Sequence, residues 1–162
     1  MASYVQNKIK ELFCSKGISL SAAESCTGGQ ISHLLTGVAG ASGYYLGSVT
    51  SYAISVKECV LGVDPEVIRR CGVVSSEVAI QMAEGVRRLT GSSYAVSTTG
   101  LAGPGGDDRN PEGTVWIGVA GPDSSRAVCK VFKGDRAQNI RHFADCALKE
   151  LYKFVREEEN GL

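Results

Sequence analysis

The sequence has no excess of charge of either sign: its 162 residues carry 17 Lys and Arg against 17 Asp and Glu. Chains that bind nucleic acid ordinarily show a basic excess, so a nucleic-acid partner is not expected. There is no apolar run of the roughly twenty residues needed to cross a bilayer. Met1 to Lys10 lacks the apolar centre of a secretion signal. A cytoplasmic chain without a membrane partner is expected. The six cysteines, at positions 14, 26, 59, 71, 129 and 146, form no C-x-x-C pair, which removes zinc ribbons and thioredoxin-type motifs. They read as reduced thiols, with Cys59 and Cys146 set among apolar neighbours. Histidine is scarce. His33 and His142 have no acidic partner nearby in sequence, so a Ser-His-Asp triad is not indicated. No H-E-x-x-H or Cys/His cluster points to a metal, and neither a metal nor another cofactor is expected.

What is present is ordinary globular composition, 43% hydrophobic and 21% charged, in a length that suits one domain over residues 1–162. Val5, Ile9, Leu12 and Phe13 give residues 3–16 a helical stripe. Ile18 to Ala23 reads as a strand, Thr27 to Thr36 as a helix, and Tyr44 to Tyr52 as a second strand. Short helices follow at 54–61 and 65–71, the second opened by Asp64-Pro65. Ser75 or Ser76 caps a helix reaching Leu89, with Val78, Met82, Val86 and Leu89 on one stripe. Tyr94 to Thr98 is a third strand. Thr114 to Ala120 and Arg126 to Phe132 flank Gly121-Pro122-Asp123 and predict an antiparallel hairpin. A helix over 135–157 buries Ile140, Phe143, Ala144, Ala147, Leu148, Leu151 and Phe154, and the acidic tail from Glu157 is expected to fray. The order predicts an α/β fold, a three-layer α/β/α sandwich with a mixed sheet.

Four constellations could carry chemistry. Ala23-Glu24-Ser25-Cys26-Thr27-Gly28-Gly29 lies at a strand-to-helix turn, where open α/β folds place ligands. A serine there can be a nucleophile, and Gly28 and Gly29 open the helix N–H groups to an anion. Ser25 or Thr27 as a simple helix cap is the commoner role for the pattern. Thr99-Gly100-Leu101-Ala102-Gly103-Pro104-Gly105-Gly106 follows another strand and can wrap a phosphate or oxyanion. It matches neither the P-loop nor the dinucleotide fingerprint. Tyr52 and Lys57 could reach one sheet edge, with Lys57 a base if partly buried and a solvated surface lysine otherwise. Arg136 and Arg141, five apart on the last helix, do not share one tight face; either could fork onto a phosphate, and at least one is expected to be surface charge.

Together these segments, with Leu61-Gly62-Val63, Gly72-Val73-Val74-Ser75, Gly113-Thr114-Val115 and Gly134-Asp135-Arg136, resemble the CinA C-terminal family over nearly the whole chain. The resemblance implies deamidation of nicotinamide mononucleotide to nicotinic acid mononucleotide and ammonia, a role in pyridine-nucleotide salvage, and a homodimer. Larger members carry a further domain ahead of this one, and the chain, starting just before its first helix, is expected to lack it. Carried over by residue, Ser25 is the nucleophile and Lys57 the base, with Tyr52 beside it. Thr99 and the loop behind it, with Gly100, Ala102, Gly103 and Gly105, support the oxyanion or the substrate. Thr27, Gly28 and Gly29 line the helix start, and Arg136 or Arg141 holds the ribose phosphate. The sequence departs from the family pattern Tyr-Ser-Asn-x-x-Lys at Ala53 and Ile54, where two polar residues are apolar. The loop before Gly113 is about one residue shorter, and Glu112 stands where an apolar residue is usual.

Overall fold

The computed structural model describes residues 4–161. Helix α1 (Tyr4–Lys16) buries Val5, Ile9 and Phe13, one face at a spacing of four. Strand β1 (Leu20–Glu24) is fully buried, and helix α2 (Gln30–Thr36) carries the chain to strand β2 (Tyr45–Thr50). Helices α3 (Ile54–Cys59), α4 (Pro65–Cys71) and α5 (Ser76–Thr90) return it to strand β3 (Tyr94–Gly100). Strands β4 (Thr114–Ala120) and β5 (Ser125–Val131) form the hairpin, closed by Gly121 N–H donating to Ser124 O at 2.8 Å. Helix α6 (Arg136–Glu159) completes the order.

The sheet runs β2-β1-β3-β4-β5. Strands β2, β1 and β3 are parallel, and β4 and β5 are antiparallel to their neighbours. Each face has its own core. On one, Leu20, Ala22 and Val96 pack with Ile9, Phe13, Ile31, Leu35, Phe143, Leu148 and Leu151 of α1, α2 and α6. On the other, Ala23 and Ala95 pack with Val67 of α4 and Val78, Met82 and Val86 of α5. The arrangement is the expected three-layer mixed α/β fold. From β1 the chain leaves through α2 to β2 on one side, then returns across the opposite face to β3 on the other. The carboxyl ends of β1 and β3 therefore diverge at a topological switch point, where such sheets open a crevice.

Two expectations about elements are corrected. Leu89 is 55% exposed whereas Val86, one turn earlier, is fully buried: helical periodicity gives the two one direction, but the core ends before the last turn of α5. The acidic tail is helical through Glu159 because the hairpin and neighbouring groups pair its carboxylates. Arg126 meets Glu157 at 2.6 Å, Ser124 donates to Glu158, and Tyr94 OH donates to Glu159 at 2.8 Å. All six cysteines are free, and Cys59, for all its apolar neighbours in sequence, is exposed.

Candidate active site

At the switch point a cleft of about 280 Å3 is lined by Ser25, Cys26, Tyr52, Ile54, Lys57, Val73, Val74, Arg136 and residues 99–105. Each wall comes from a different segment. Ser25 follows the last residue of β1, the glycine-rich loop follows β3, Tyr52 and Lys57 follow β2, and Arg136 opens α6. The lining of the cleft carries the Arg136 guanidinium and no acidic side chain, so its field favours an anionic ligand.

Lys57 is 1% exposed. Its amine donates to Ser25 Oγ at 2.8 Å, to Ser51 O at 2.5 Å and to Tyr52 O at 3.3 Å. Burial lowers its pKa from the ordinary 10.5, countered in part by the nearby Cys26 thiol. Among the described residues no carboxylate pairs with it. When Lys57 is neutral, its two N–H bonds suit the two carbonyls, which can only accept. Its lone pair then faces the one partner able to donate, the Ser25 hydroxyl. Cys26, next to Ser25, does not compete as a nucleophile: burial pushes its thiol up to about 12.

Arg136 donates to Gly103 O at 2.5 Å and to Tyr52 OH at 3.1 Å. It thereby joins the loop to the segment that carries Lys57. Asn139, one turn further along α6 and fully buried, donates to Ala102 O at 3.0 Å and Gly134 O at 2.9 Å and accepts from Gly134 N–H at 3.0 Å. Glu112 accepts from Gly105 N–H at 2.8 Å. Gly103, at φ 101°, has the Glu112 carboxylate 2.6 Å from where a Cβ would sit, so the backbone requires glycine, and a larger residue would also displace the Glu112 side chain. With the loop carbonyls held, the Ala102 and Gly103 N–H groups have no hydrogen bond among the described residues.

The structure thus brings together Ser25, Lys57, Tyr52, Thr99, Gly100, Ala102, Gly103, Gly105 and Arg136 in one cleft. Thr99 is placed there with its proton committed, donating to Val73 O at 2.8 Å. It holds the Val73–Val74 wall and has only lone pairs left, so as placed it does not donate to an oxyanion. Thr27, Gly28, Gly29 and Arg141 are not brought into the cleft. Arg141 is exposed elsewhere on α6. Thr27 is 3% exposed, with its hydroxyl spent on Glu24 Oε1 at 2.7 Å. The start of α2, read from sequence as an anion site, is already filled from within. The Glu24 carboxylate accepts from the N–H groups of Gly29, Ile31 and Ser32 at 3.2, 2.8 and 3.1 Å. Arg136 is left as the arginine of the cleft. Sequence reading passed over Glu24, Asn139 and Ser51. The first two had a signal: a carboxylate ending a mostly apolar strand and an amide on the buried stripe four residues before Phe143 both need partners. Ser51 acts through its carbonyl, which no residue pattern reveals.

The comparisons with known proteins bear on the family and the fold. The family model of the CinA C-terminal domain matches residues 2–155. A CinA-like protein of Salinibacter ruber is 52% identical over 137 residues, covering 84% of this chain and 33% of that protein. One of Desulfosudis oleivorans is 45% identical over 150 residues, covering 91% and 36%. The chain spans about a third of the length of these curated relatives. Among solved structures, competence damage-inducible protein A of Klebsiella pneumoniae superposes with a TM-score of 0.91 at 27% identity, covering 94% of this chain and 95% of that one. The competence/damage inducible protein CihA of Agrobacterium tumefaciens gives 0.86 at 31% identity, with 91% of each chain covered. The chain belongs to the CinA C-terminal domain family.

Proposed function

We propose that this chain is an amidohydrolase that converts nicotinamide mononucleotide to nicotinic acid mononucleotide and ammonia, with Ser25 as nucleophile and Lys57 as base. The observation that carries the reading is the 2.8 Å contact between Lys57 Nζ and Ser25 Oγ, with the other Nζ bonds held by two carbonyls. Neutral Lys57 takes the Ser25 proton as Oγ attacks the carboxamide carbon. The negative charge that develops on the amide oxygen is met by N–H groups of the loop at Ala102 and Gly103. Protonated Lys57 then gives its proton to the amide nitrogen, and ammonia leaves an ester on Ser25. Water attacks the ester, Lys57 takes the water's proton and returns one to Ser25 Oγ, and the acid departs. No metal or cofactor enters this scheme. The 5′-phosphate falls to Arg136, since Glu24 closes the start of α2. We read residues 1–162 as one domain acting on a small nucleotide in the cytoplasm, as a homodimer.

A second reading has its own observation. Ala53 gives α3 no side-chain cap, and Ile54, 46% exposed, presents an apolar surface to the cleft. A domain that binds the nucleotide without turning it over would have these features. Ammonia release from nicotinamide mononucleotide by purified protein separates the two. Release that requires the phosphate, and is weak with free nicotinamide, supports the amidohydrolase. Thermal stabilisation by the nucleotide without ammonia supports the binding domain.

A further inference from the structure

Glu24 is fully buried at the end of β1, next to the nucleophile but aimed away from it. Side chains alternate along a strand. Leu20 and Ala22 face α2 and α6, whereas Ala23 faces α4 and α5. Glu24 accordingly reaches the start of α2, and Ser25 turns to Lys57 on α3. The two Glu24 oxygens receive four donors: Thr27 O–H and the N–H groups of Gly29, Ile31 and Ser32. Thr27 spends its one proton on Glu24, so in its 2.8 Å contact with Thr98 it is the Thr98 hydroxyl that donates. This ties the turn to β3. Ser25 N–H donates to Thr98 O at 3.1 Å, and Gly28 N–H to Ser25 O at 3.1 Å. The main chain of Glu24 works on the other wall: its carbonyl accepts from Ser51 N–H at 2.8 Å, and Ser51 O accepts from Lys57 at 2.5 Å.

We propose that Glu24 is a positioning residue for the Ser25–Lys57 pair: its buried carboxylate fixes the start of α2, and through the intervening turn sets Ser25 Oγ against Lys57 Nζ. The proposal rests on the amidohydrolase reading above. Its physical content is that four donors converge on a site made for two acceptor oxygens. A glutamine fills the same volume but puts N–H against N–H, so at least the Ser32 bond is lost and the turn must shift.

The test is the rate at which a fluorophosphonate probe phosphonylates Ser25 with loss of fluoride, followed by intact mass, with melting temperature and deamidation kinetics on the same proteins. The expected result is wild-type labelling at Ser25 and labelling of Glu24→Gln slower by about 10- to 100-fold, the scale set by sub-ångström to ångström misplacement of a nucleophile. In deamidation kcat falls while KM holds, because Glu24 does not line the cleft. Thr27→Val, which removes one donor and leaves Glu24 in place, also slows labelling, and Thr27→Ser restores it. That pair keeps the test decisive if Glu24→Gln does not fold. Folded Glu24→Gln, or Thr27→Val if that is the variant in hand, labelling at the wild-type rate overturns the proposal while leaving the Ser25 nucleophile intact. Wild-type protein that neither labels at Ser25 nor releases ammonia overturns both.

Discussion

Lys57 concentrates the chemistry into a single side chain. A lysine on a short helix is ordinarily solvated. This one is buried, and its amine meets three oxygens, two of which can only accept. Activity should therefore rise with pH as Lys57 loses its proton, with a midpoint in kcat/KM below the ordinary 10.5; a rate that falls through that range would assign the base elsewhere. Stability carries the same sign. Between the lowered folded value and 10.5 the unfolded chain binds more protons, so the wild type gains stability with rising pH relative to Lys57→Met. Paired denaturant titrations across that range measure it. Arg136→Ala should raise KM for the nucleotide by about 10- to 100-fold, the worth of a charged hydrogen bond, and Arg141→Ala should leave steady-state kinetics unchanged. At this scale the sequence showed which residues were worth naming, since Ser25, Tyr52, Lys57 and Arg136 all meet in the cleft. It did not show that Glu24 would take the N–H groups read as an anion site. That depends on Gly29 at φ 104° turning the chain back over the carboxylate, a local fold between Glu24 and Ser32 that periodicity does not register.

Among the elements, the start of α6 does the most for the site. Asp135 accepts from Gln138 N–H at 2.8 Å, and Gln138 returns a bond to Asp135 N–H at 2.9 Å, a reciprocal capping box. It fixes the first turn, from which Arg136 and Asn139 hold the glycine-rich loop by its carbonyls. Asp135→Ala should cost about 1 kcal/mol, a fall of roughly 2–4 °C in Tm for a chain of this size. It should also raise KM, since Arg136 loses its fixed origin. Thermal melts and steady-state kinetics on the one variant check both. Caps made the elements legible. Asp64-Pro65 stands where sequence put it, and of the two serines that sequence offered as a cap Ser75 is the one whose side chain makes the bond. The end of α6 was not legible. The acidic tail from Glu157 read as a frayed end, and Glu157 to Glu159 are helical because Arg126, Ser124 and Tyr94 lie far off in sequence and close in space.

At the scale of the molecule, the strand order 2-1-3-4-5 is what makes a site possible. Parallel β1 and β3 send the chain to opposite sides along the sheet, β1 through α2 to β2 and β3 through the loop to β4, and the gap between them receives Ser25 from one and the loop from the other. The antiparallel hairpin supports that gap from the side and delivers α6 to its mouth. Layering and strand count followed from the alternation of helical and strand patterns along the chain. The pairing order did not, because it is decided by which core each face of β1 buries against.

The account stands on Ser25 and Lys57 acting as one unit, and ammonia release from nicotinamide mononucleotide by the wild type, Ser25→Ala and Lys57→Met tests that most directly. We expect each substitution to lower kcat by at least about 10³-fold, and the double variant to be no worse than either alone. A folded Ser25→Ala protein that still releases ammonia at the wild-type rate would contradict it.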